Sequence, residues 1–335
     1  MAKWRKSASR KADPWGGSEL TPTQRFISDN YRDDYESKHQ LLATTNEAAF
    51  INSFTPSVCP YCGEESIIKR GTNSNNIQRY SCNKCGRRFI PTTGTIFDEH
   101  KIPIKDWIGY TLNIIRYVSV NAGSWNNRNA FETSRYWLQK LFLVLEEYPS
   151  TITIEGRSWL DETFYSLRAA DIELNKDGTK PRGLSKNKMC IGVLCDARNI
   201  LCIYEGEGKP TQKGTLEAFK DHIKPGSLLV HDEEQAHKRL IKELNLKSES
   251  YNSKDLKGIA DSKNPLFRVN NVHARLKDFL NAHSSFDRND LQNYLNLFSF
   301  VMNPPSDPLE KMEILLNLAF QNPKLLRYRD FYSGI

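Results

Sequence analysis

Long hydrophobic runs are missing from this chain of 335 residues, and no stretch has enough consecutive apolar residues to cross a bilayer. The opening stretch, "MAKWRKSASRKADPWGG", is basic and polar and lacks an apolar core, so we expect no secretory signal peptide and no membrane partner. Hydrophobic residues make up 39% of the chain and charged residues 26%, as in soluble globular proteins of roughly two or three domains.

A large excess of charge is also missing, because the formal net charge is +7 and the sequence pI is about 8.9. This mild basic balance is compatible with a polyanionic partner but does not identify one. The cysteine count is seven, an odd number. Without an export signal, cysteine pairs are better interpreted as metal ligands or small buried side chains than as disulfides.

Two Cys-x-x-Cys pairs form the strongest local motif. Cys59 and Cys62 make the first pair, Cys82 and Cys85 make the second, and a glycine follows each pair. This spacing predicts a four-thiolate tetrahedral zinc site. The segment has few apolar residues, so zinc binding would supply folding energy. The alternative is four reduced cysteines that never meet.

Acidic residues are absent between Ser66 and Ile90, where six basic residues alternate with Tyr80 and Phe89. A basic zinc ribbon indicates contact with nucleic acid, although a purely protein-binding ribbon stays open. The basic residues of this stretch are Lys69, Arg70, Arg79, Lys84, Arg87 and Arg88.

Two helices are predicted after the cysteine motif, in "IPIKDWIGYTLNIIRYV" and "ETSRYWLQKLFLVLEEY". The Asn-rich stretch "VNAGSWNNRN" between them predicts a turn, so the segment is typical of a helix-turn-helix with Arg135 as a candidate DNA contact. An ordinary helical hairpin fits the same periodicity nearly as well.

The pattern changes at residue 151. Three strands are predicted in "TITIEGRSWLDETFYSL", "KNKMCIGVLCDA" and "ILCIYEGE". A helix, the buried strand "GSLLV", a second helix and the strand "SESYN" follow, and the helix "FRVNNVHARLKDFL" comes last. Three meandering strands followed by alternating helix and strand indicate an RNase H-like α/β domain.

Two acidic residues stand out in this domain. Asp161 lies inside the first strand, where aspartate is depleted, and Asp232 ends the buried strand. We expect these strands to be neighbours, whereas strand alternation sends Glu162 to the opposite face from Asp161. The alternatives are that Asp161 is an exposed edge-strand acid and that Asp232 is a helix N-cap forming a capping box with Gln235.

The last helix offers further candidates on one face, because Asn270, His273 and Lys277 share a side. Two carboxylates at neighbouring strand ends suit Mg²⁺, and Asn270 or His273 would complete the site, with Lys277 holding a phosphate. A merely solvated helix edge is the alternative. We expect His231 and His237 to be structural or solvent-facing. We expect three further cysteines to lie in the core: Cys190, Cys195 and Cys202.

The stretches "LDETFYSL", "LLVHDEEQAH" and "VNNVHARLKDFL…YLNLFSFVMN" resemble the ISXO-type bacterial insertion-sequence transposases. So does the front end, "VCPYCG…RYSCNKCGRRF…TGTIFDEHKIPIKDWI", in the same order, and the resemblance covers about residues 50 to 305. It implies a zinc ribbon, a helical DNA-binding segment and a DDE-type RNase H-like domain. Asp161 and Asp232 match the first two catalytic positions, and Asn270 matches the third, which is often Glu. Asparagine there removes one negative charge and should weaken metal affinity.

The resemblance also implies a cytoplasmic, nucleoid-associated homo-oligomer, expected to be a dimer, that binds terminal inverted repeats and target DNA. Its expected cofactors are structural Zn²⁺ and catalytic Mg²⁺ or Mn²⁺. The sequence predicts a DNA transposase that cleaves and transfers strands; the alternatives are a non-catalytic DNA-binding regulator and a nuclease of the same fold. The predicted segments are a basic arm with a helical segment (1–50), a zinc ribbon (51–97), a helix-turn-helix-like segment (98–150), the RNase H-like domain (151–305) and a C-terminal helical tail (306–335).

Overall fold

The computed structural model describes residues 45–167, 171–181, 185–252, 254–283 and 286–333. The predicted basic arm and most of the first helical segment lie outside these ranges. The described residues divide into two compact units: those of 45–144 and 308–333 form one, and those of Leu145–Asp307 form the other. Within the described ranges, no helix is both long enough and apolar enough to span a membrane.

The first unit combines a small sheet with helices from both ends of the chain. Its strands pair antiparallel in the order β1-β2-β3. Its elements are α1 (Thr45–Ser53), β1 (Ile67–Thr72), β2 (Gln78–Cys82), β3 (Arg88–Phe89), α2 (Ile104–Ile115), α3 (Val120–Asn126), α4 (Phe131–Leu145, whose last residue belongs to the second unit), α9 (Pro308–Gln321) and α10 (Tyr328–Ser333).

The Asn-rich stretch predicted to be a turn is itself helical, so the prediction of two helices joined by a turn is wrong here. Helix α3 starts after Ser119, whose side chain accepts a hydrogen bond from the Ala122 backbone N–H. Such an N-cap stabilises a short helix that its own residues favour only weakly. The Asn113 side chain donates to Asn127 across 2.9 Å and ties the end of α3 to α2.

The second unit is a mixed α/β structure around a five-stranded sheet of order β6-β5-β4-β7-β8. Strands β4, β5 and β6 pair antiparallel, and β7 and β8 run parallel to β4, which confirms the predicted α/β class with a mixed sheet. Its elements are β4 (Arg157–Ser166), β5 (Lys188–Cys195), β6 (Ile200–Glu207), α5 (Gln212–Phe219), β7 (Leu228–Asp232), α6 (His237–Glu243), β8 (Lys247–Tyr251), α7 (Phe267–Ala282) and α8 (Leu291–Met302), with short 3-10 turns at Tyr148–Thr151, Asp261–Lys263 and Arg288–Asp290.

Each face of this sheet has its own helical cover. Leu160 of β4 packs into an apolar core with Phe219 of α5 and Leu240 of α6. The neighbouring Trp159 points the other way, and its indole N–H donates to the Pro265 carbonyl just before α7. The predicted core cysteines are all buried: Cys190, Cys195 and Cys202.

The edge strand β6 is protected by polar side chains from α8 and the residue after it. The backbone N–H groups of Ile200, Cys202 and Tyr204 donate to side-chain oxygens at 2.6, 3.2 and 2.8 Å. An unpaired strand edge would otherwise invite pairing with another chain. The acceptors are Asn303, Ser299 and Gln292.

Candidate functional site

The two candidate aspartates lie side by side on the central pair of parallel strands. Trp159 pairs with Val230 and Leu160 pairs with His231, so Asp161 and Asp232 are the next residue on each strand. Their side chains keep 20% and 27% of their surface exposed. The two carboxylates therefore lie on adjacent strand ends and are accessible to a small ligand. The Asp232 carboxylate also forms a group with His231 and His237, whose ligand atoms lie within 4.8 Å of one another.

The electrostatic setting of Asp161 disfavours its charged form. Burial, and then the negative charges of Asp232 and Glu162, raise the pKa of Asp161 to about 7. A divalent cation beside both carboxylates would relieve this repulsion, because an opposite charge stabilises an ionised carboxylate. The pair is thus suited to cation binding.

Asp232 does not cap the helix that follows it. Its Oδ1 accepts a hydrogen bond from the Glu234 backbone N–H at 3.0 Å, which forms a local turn. Helix α6 begins later, at His237, with Ala236 at the N-cap position. The capping-box alternative with Gln235 is therefore not the arrangement in this structure.

Of the residues on the polar edge of α7, His273 approaches the aspartates. Its Nδ1 lies 3.9 Å from Asp161 Oδ2, and its buried Nε2 has no hydrogen-bond partner among the described residues. Burial lowers the pKa of His273 to about 4. The imidazole is therefore neutral near pH 7 and can offer a nitrogen to a cation.

Asn270 and Lys277 share this helix edge but are exposed to solvent. Within the described part of the chain, the Asn270 side chain makes no hydrogen bond. The sequence placed both Asn270 and His273 near the aspartates, and the helix rotation turns the histidine inward. The contacts therefore favour His273 over Asn270 as the third member of the group.

His231 and His237, which flank Asp232 in sequence, are both buried rather than solvent-facing. They are hydrogen-bonded to each other and, through His237, to Glu162. Burial lowers the pKa of His231, with the neighbouring His237 adding to the effect. At His237, burial acts in the same direction, but the Glu162 hydrogen bond and charge outweigh it and raise the pKa. The sequence did not indicate this cluster.

The four cysteines predicted to bind zinc converge in the first unit. Cys59 Sγ lies 3.7 Å from Cys85 Sγ, Cys62 Sγ lies 3.6 Å from Cys82 Sγ, and all four sulfurs lie within 4.8 Å of one another. Zn–S bonds of about 2.3 Å in a tetrahedron require sulfurs about 3.8 Å apart. The donor set and its spacing therefore fit a tetrahedral zinc ion.

The two cysteine turns have the same backbone pattern. Gly63 N–H donates to the Cys59 carbonyl at 2.9 Å, and Gly86 N–H donates to the Cys82 carbonyl at 3.0 Å. Both glycines have positive φ, at 72° and 71°, which glycine adopts without strain. The Cys85 backbone N–H donates to Cys82 Sγ at 3.4 Å, which lowers the pKa of this thiol and favours its thiolate. At Cys62, the Glu64 backbone hydrogen bond acts in the same direction, but burial and the neighbouring thiols outweigh it and raise the pKa.

The basic residues of this four-cysteine module (residues 58–90) all lie on its surface. The Arg87 guanidinium lies 4.9 Å from the ring centroid of Tyr61, an exposed aromatic side chain that the sequence analysis missed. Lys84 forms an ion pair with Glu64 at 3.5 Å. The exposed basic residues are Lys69, Arg70, Arg79, Lys84, Arg87 and Arg88.

Arg135, the candidate DNA contact on α4, is engaged within its own unit. It binds Glu132 at 3.3 Å, and its guanidinium lies 5.7 Å from the Phe331 ring. The C-terminal segment also packs on this side of α4, since Tyr332 OH donates to Glu132 at 2.7 Å. The residues of α4 that stay exposed are Phe131 and Arg135. The Arg135 and Glu132 side chains keep 43% and 46% of their surface exposed, so this ion pair is a weak one.

No protein-family model matches this chain. A 63-residue stretch, 19% of the chain, is 35% identical to an uncharacterized protein in transposable element ISH50 of Halobacterium salinarum, and it spans 20% of that relative. Among solved structures, the Mos1 mariner paired end complex with Mn shares 10% identity over 63% of this chain and 78% of that chain, with a TM-score of 0.23. A TM-score this low does not establish a shared fold.

Proposed function

We propose that this protein is a DNA transposase whose second unit cleaves and joins DNA strands with the help of a divalent cation. The observation that carries the proposal is the pairing of Asp161 and Asp232 on adjacent parallel strands, with His273 against Asp161. The strand order, with β4 at the centre, supports an RNase H-like domain. The similarity of one stretch to a protein of a transposable element points the same way.

In the proposed site, Asp161 and Asp232 supply carboxylate oxygens and His273 supplies a neutral nitrogen. Carboxylates favour Mg²⁺ or Mn²⁺, and an imidazole ligand suits Mn²⁺ better than Mg²⁺. A cation held there would stabilise the negative charge that develops during phosphodiester cleavage. Asn270 and Lys277 are exposed on the same helix edge and would contact the DNA backbone.

In the first unit, we propose that the four-cysteine module holds Zn²⁺ and binds DNA through its basic surface. Exposed arginines and lysines supply charge, and Tyr61 beside Arg87 supplies an aromatic face for stacking. Of the sequence candidates, Arg70, Arg79, Lys84, Arg87 and Arg88 fit this role. Arg135 fits this role less well, because its guanidinium is ion-paired with Glu132 and lies against the Phe331 ring.

Recognition of terminal inverted repeats, assembly as a dimer and membership of the ISXO-type transposases complete the proposal. They rest on the ordered sequence motifs given above. The missing third carboxylate sets this chain apart from the common pattern of that family. An Asp-Asp-His group in place of Asp-Asp-Glu would shift its preference from Mg²⁺ towards Mn²⁺.

The test is cleavage and joining of a plasmid that carries the DNA flanking the coding sequence on both sides. With MnCl₂, we expect the wild-type protein to nick and join strands. We expect Asp232→Asn to lose at least about a hundredfold in rate, because a lost cation ligand costs several kcal/mol. Asp278→Asn, an exposed aspartate on α7, is the matched control and should keep its activity.

Full activity of Asp232→Asn would disprove the site. Cleavage without any joined product would instead identify a nuclease. DNA binding that needs zinc, without nicking in either MgCl₂ or MnCl₂, would identify a non-catalytic regulator.

The third member of the site can be tested separately. We expect His273→Leu to raise the MnCl₂ concentration needed for half-maximal cleavage by about tenfold or more, because it removes a nitrogen next to Asp161. Asn270→Leu should leave this concentration within about threefold and instead weaken DNA binding. His283→Leu controls for loss of a buried histidine, since His283 is buried against Phe279 and has no ion pair with either aspartate among the described residues. If Asn270→Leu raised the half-maximal MnCl₂ concentration more than His273→Leu did, Asn270 would be the third ligand.

A further inference from the structure

A buried hydrogen-bonded chain links strands β4, β7 and β8 next to the two aspartates, and it reaches the Asp232 carboxylate. Side chains alternate along a strand, so the sequence neighbours of Asp161 and Asp232 extend from the other face of the sheet. These neighbours are Glu162 on β4 and His231 on β7. The imidazole of His237, the first residue of α6, lies between them.

Each link of this chain has hydrogen-bond geometry. His237 Nε2 lies 2.9 Å from Glu162 Oε1, and His237 Nδ1 lies 3.1 Å from His231 Nδ1. His231 Nε2 continues the chain to Ser248 Oγ on β8, at 2.9 Å. His237 is fully buried, with 0% of its side chain exposed, and its Nδ1 also lies 3.9 Å from Asp232 Oδ1. Both ring nitrogens of both histidines therefore have partners.

We propose that His237 and Glu162 are positioning residues that fix the separation of the Asp161 and Asp232 carboxylates for cation binding. The proposal rests on the proposed function, since it concerns the same site. Glu162 and His231 are each one peptide bond away from a candidate ligand. A bridge between them therefore limits the movement of the two strand ends relative to each other.

The packing beside Glu162 leaves room for a second carboxylate, that of Glu205. Gly192 pairs with Glu162 across β4 and β5, and a Cβ at position 192 would lie 2.1 Å from Glu205 Oε1. Only glycine leaves room there for a second buried carboxylate, which accepts a hydrogen bond from Thr215 at 2.6 Å. Burying a polar group costs free energy unless the group is hydrogen-bonded. The hydrogen-bonded chain gives every ring nitrogen of His231 and His237 a partner, so these two buried histidines do not carry that cost.

A purely structural role would stabilise the fold without changing the response to cations. Outer-shell partners of metal ligands behave differently, because their loss lowers metal affinity or activity by roughly 10- to 100-fold. The MnCl₂ dependence of the protein therefore separates the two roles. This dependence can be measured as the increase in melting temperature with MnCl₂, which needs no catalysis.

The experiment measures the MnCl₂ concentration at half-maximal thermal shift and at half-maximal plasmid cleavage for the full chain. We expect Glu162→Gln and His237→Ala each to raise both midpoints by roughly 10- to 100-fold, with zinc content and plasmid affinity unchanged. The side-chain amide of His237→Gln can take the place of the ring Nε2 as a hydrogen-bond donor. The side-chain amide of His237→Asn can take the place of Nδ1. We therefore expect His237→Gln and His237→Asn to recover part of the loss.

Glu205→Gln is the matched control, because it also neutralises a buried carboxylate on this face but has no hydrogen bond to His237. It should leave both MnCl₂ midpoints within about threefold of wild type. Combining Glu162→Gln with His237→Ala should cost no more than the larger single effect, because both changes break the same bridge.

Wild-type midpoints in Glu162→Gln would overturn the positioning role, and so would equal losses in Glu205→Gln. Glu162→Gln keeps nearly the same side-chain shape and should therefore fold. The MnCl₂ midpoints of this variant test the proposal even if His237→Ala fails to fold. A wild-type protein with no thermal response to MnCl₂ and no cleavage would instead refute the proposed function itself. The two failures are therefore distinguishable in one set of measurements.

Discussion

Asp161→Asn should raise the melting temperature of the metal-free second unit at pH 8 while it abolishes cleavage. The pKa of Asp161 is raised from 3.8 to about 7 by burial and by the charges of Asp232 and Glu162. The folded state then binds a proton more tightly than the unfolded state, so ionising Asp161 destabilises the fold. Asparagine keeps the shape of the side chain and removes the charge.

The sign of this effect fixes its pH dependence. A raised carboxyl pKa costs no stability below about pH 4, costs progressively more between pH 4 and 7, and costs its full amount above pH 7. The shift corresponds to at most about 4 kcal/mol, and the partial exposure of Asp161 reduces this. We therefore expect a gain of several degrees at pH 8 and a smaller gain at pH 5.

Calorimetry of the full chain in EDTA at both pH values measures this gain, and Asp278→Asn serves as the exposed control. Adding MnCl₂ should then raise the melting temperature of the wild type but not of Asp161→Asn, because a cation stabilises only a state that binds it. A lower melting temperature for Asp161→Asn at both pH values would mean that its charge is already compensated by the protein. The site would then have no need of a cation.

The sequence was sufficient to predict the strands of the second unit and the placement of the aspartates. Strands such as "KMCIGVLC" are apolar and bounded by turn residues, which is a pattern typical of a buried strand. Aspartate is rare inside strands, so its presence there indicates a functional role. Helix α3 was missed because asparagine is a weak helix former, and a single N-cap at Ser119 decides its start. Periodicity cannot detect a helix of this length.

The remaining parts of the site depend on positions that periodicity does not set. Asn270 and His273 share a helix edge in sequence, and only the rotation of α7 against β4 brings one of them to Asp161. The link between Glu162 and His237 depends on the path of the residues between β7 and α6. The covering of α4 by the segment around Tyr332 joins residues 200 positions apart. No local pattern encodes such a contact.

Removal of zinc is expected to unfold the four-cysteine module while the second unit stays folded. The apolar core of the module consists of Tyr80 and Phe89 with two of the four cysteines, Cys59 and Cys82. A core this small cannot hold a segment of about 30 residues without metal. Structural zinc contributes roughly 10 kcal/mol or more to such modules, so its loss should be decisive.

Cys82→Ser, or extraction of zinc from the wild type with a strong chelator, should therefore abolish hydrogen-exchange protection in β1 and β2. Plasmid affinity should fall by at least about tenfold, because the basic surface loses its shape. Protection in β4, β5 and β7 should persist, and so should the thermal response to MnCl₂, since the aspartates lie in the other unit. Cys202→Ala, a buried thiol of the sheet, controls for loss of a cysteine and should retain its zinc. If β1 and β2 stayed protected after complete loss of zinc, the four sulfurs would converge without a metal. The prediction would then be wrong, because the small apolar core of the module would be enough to keep it folded.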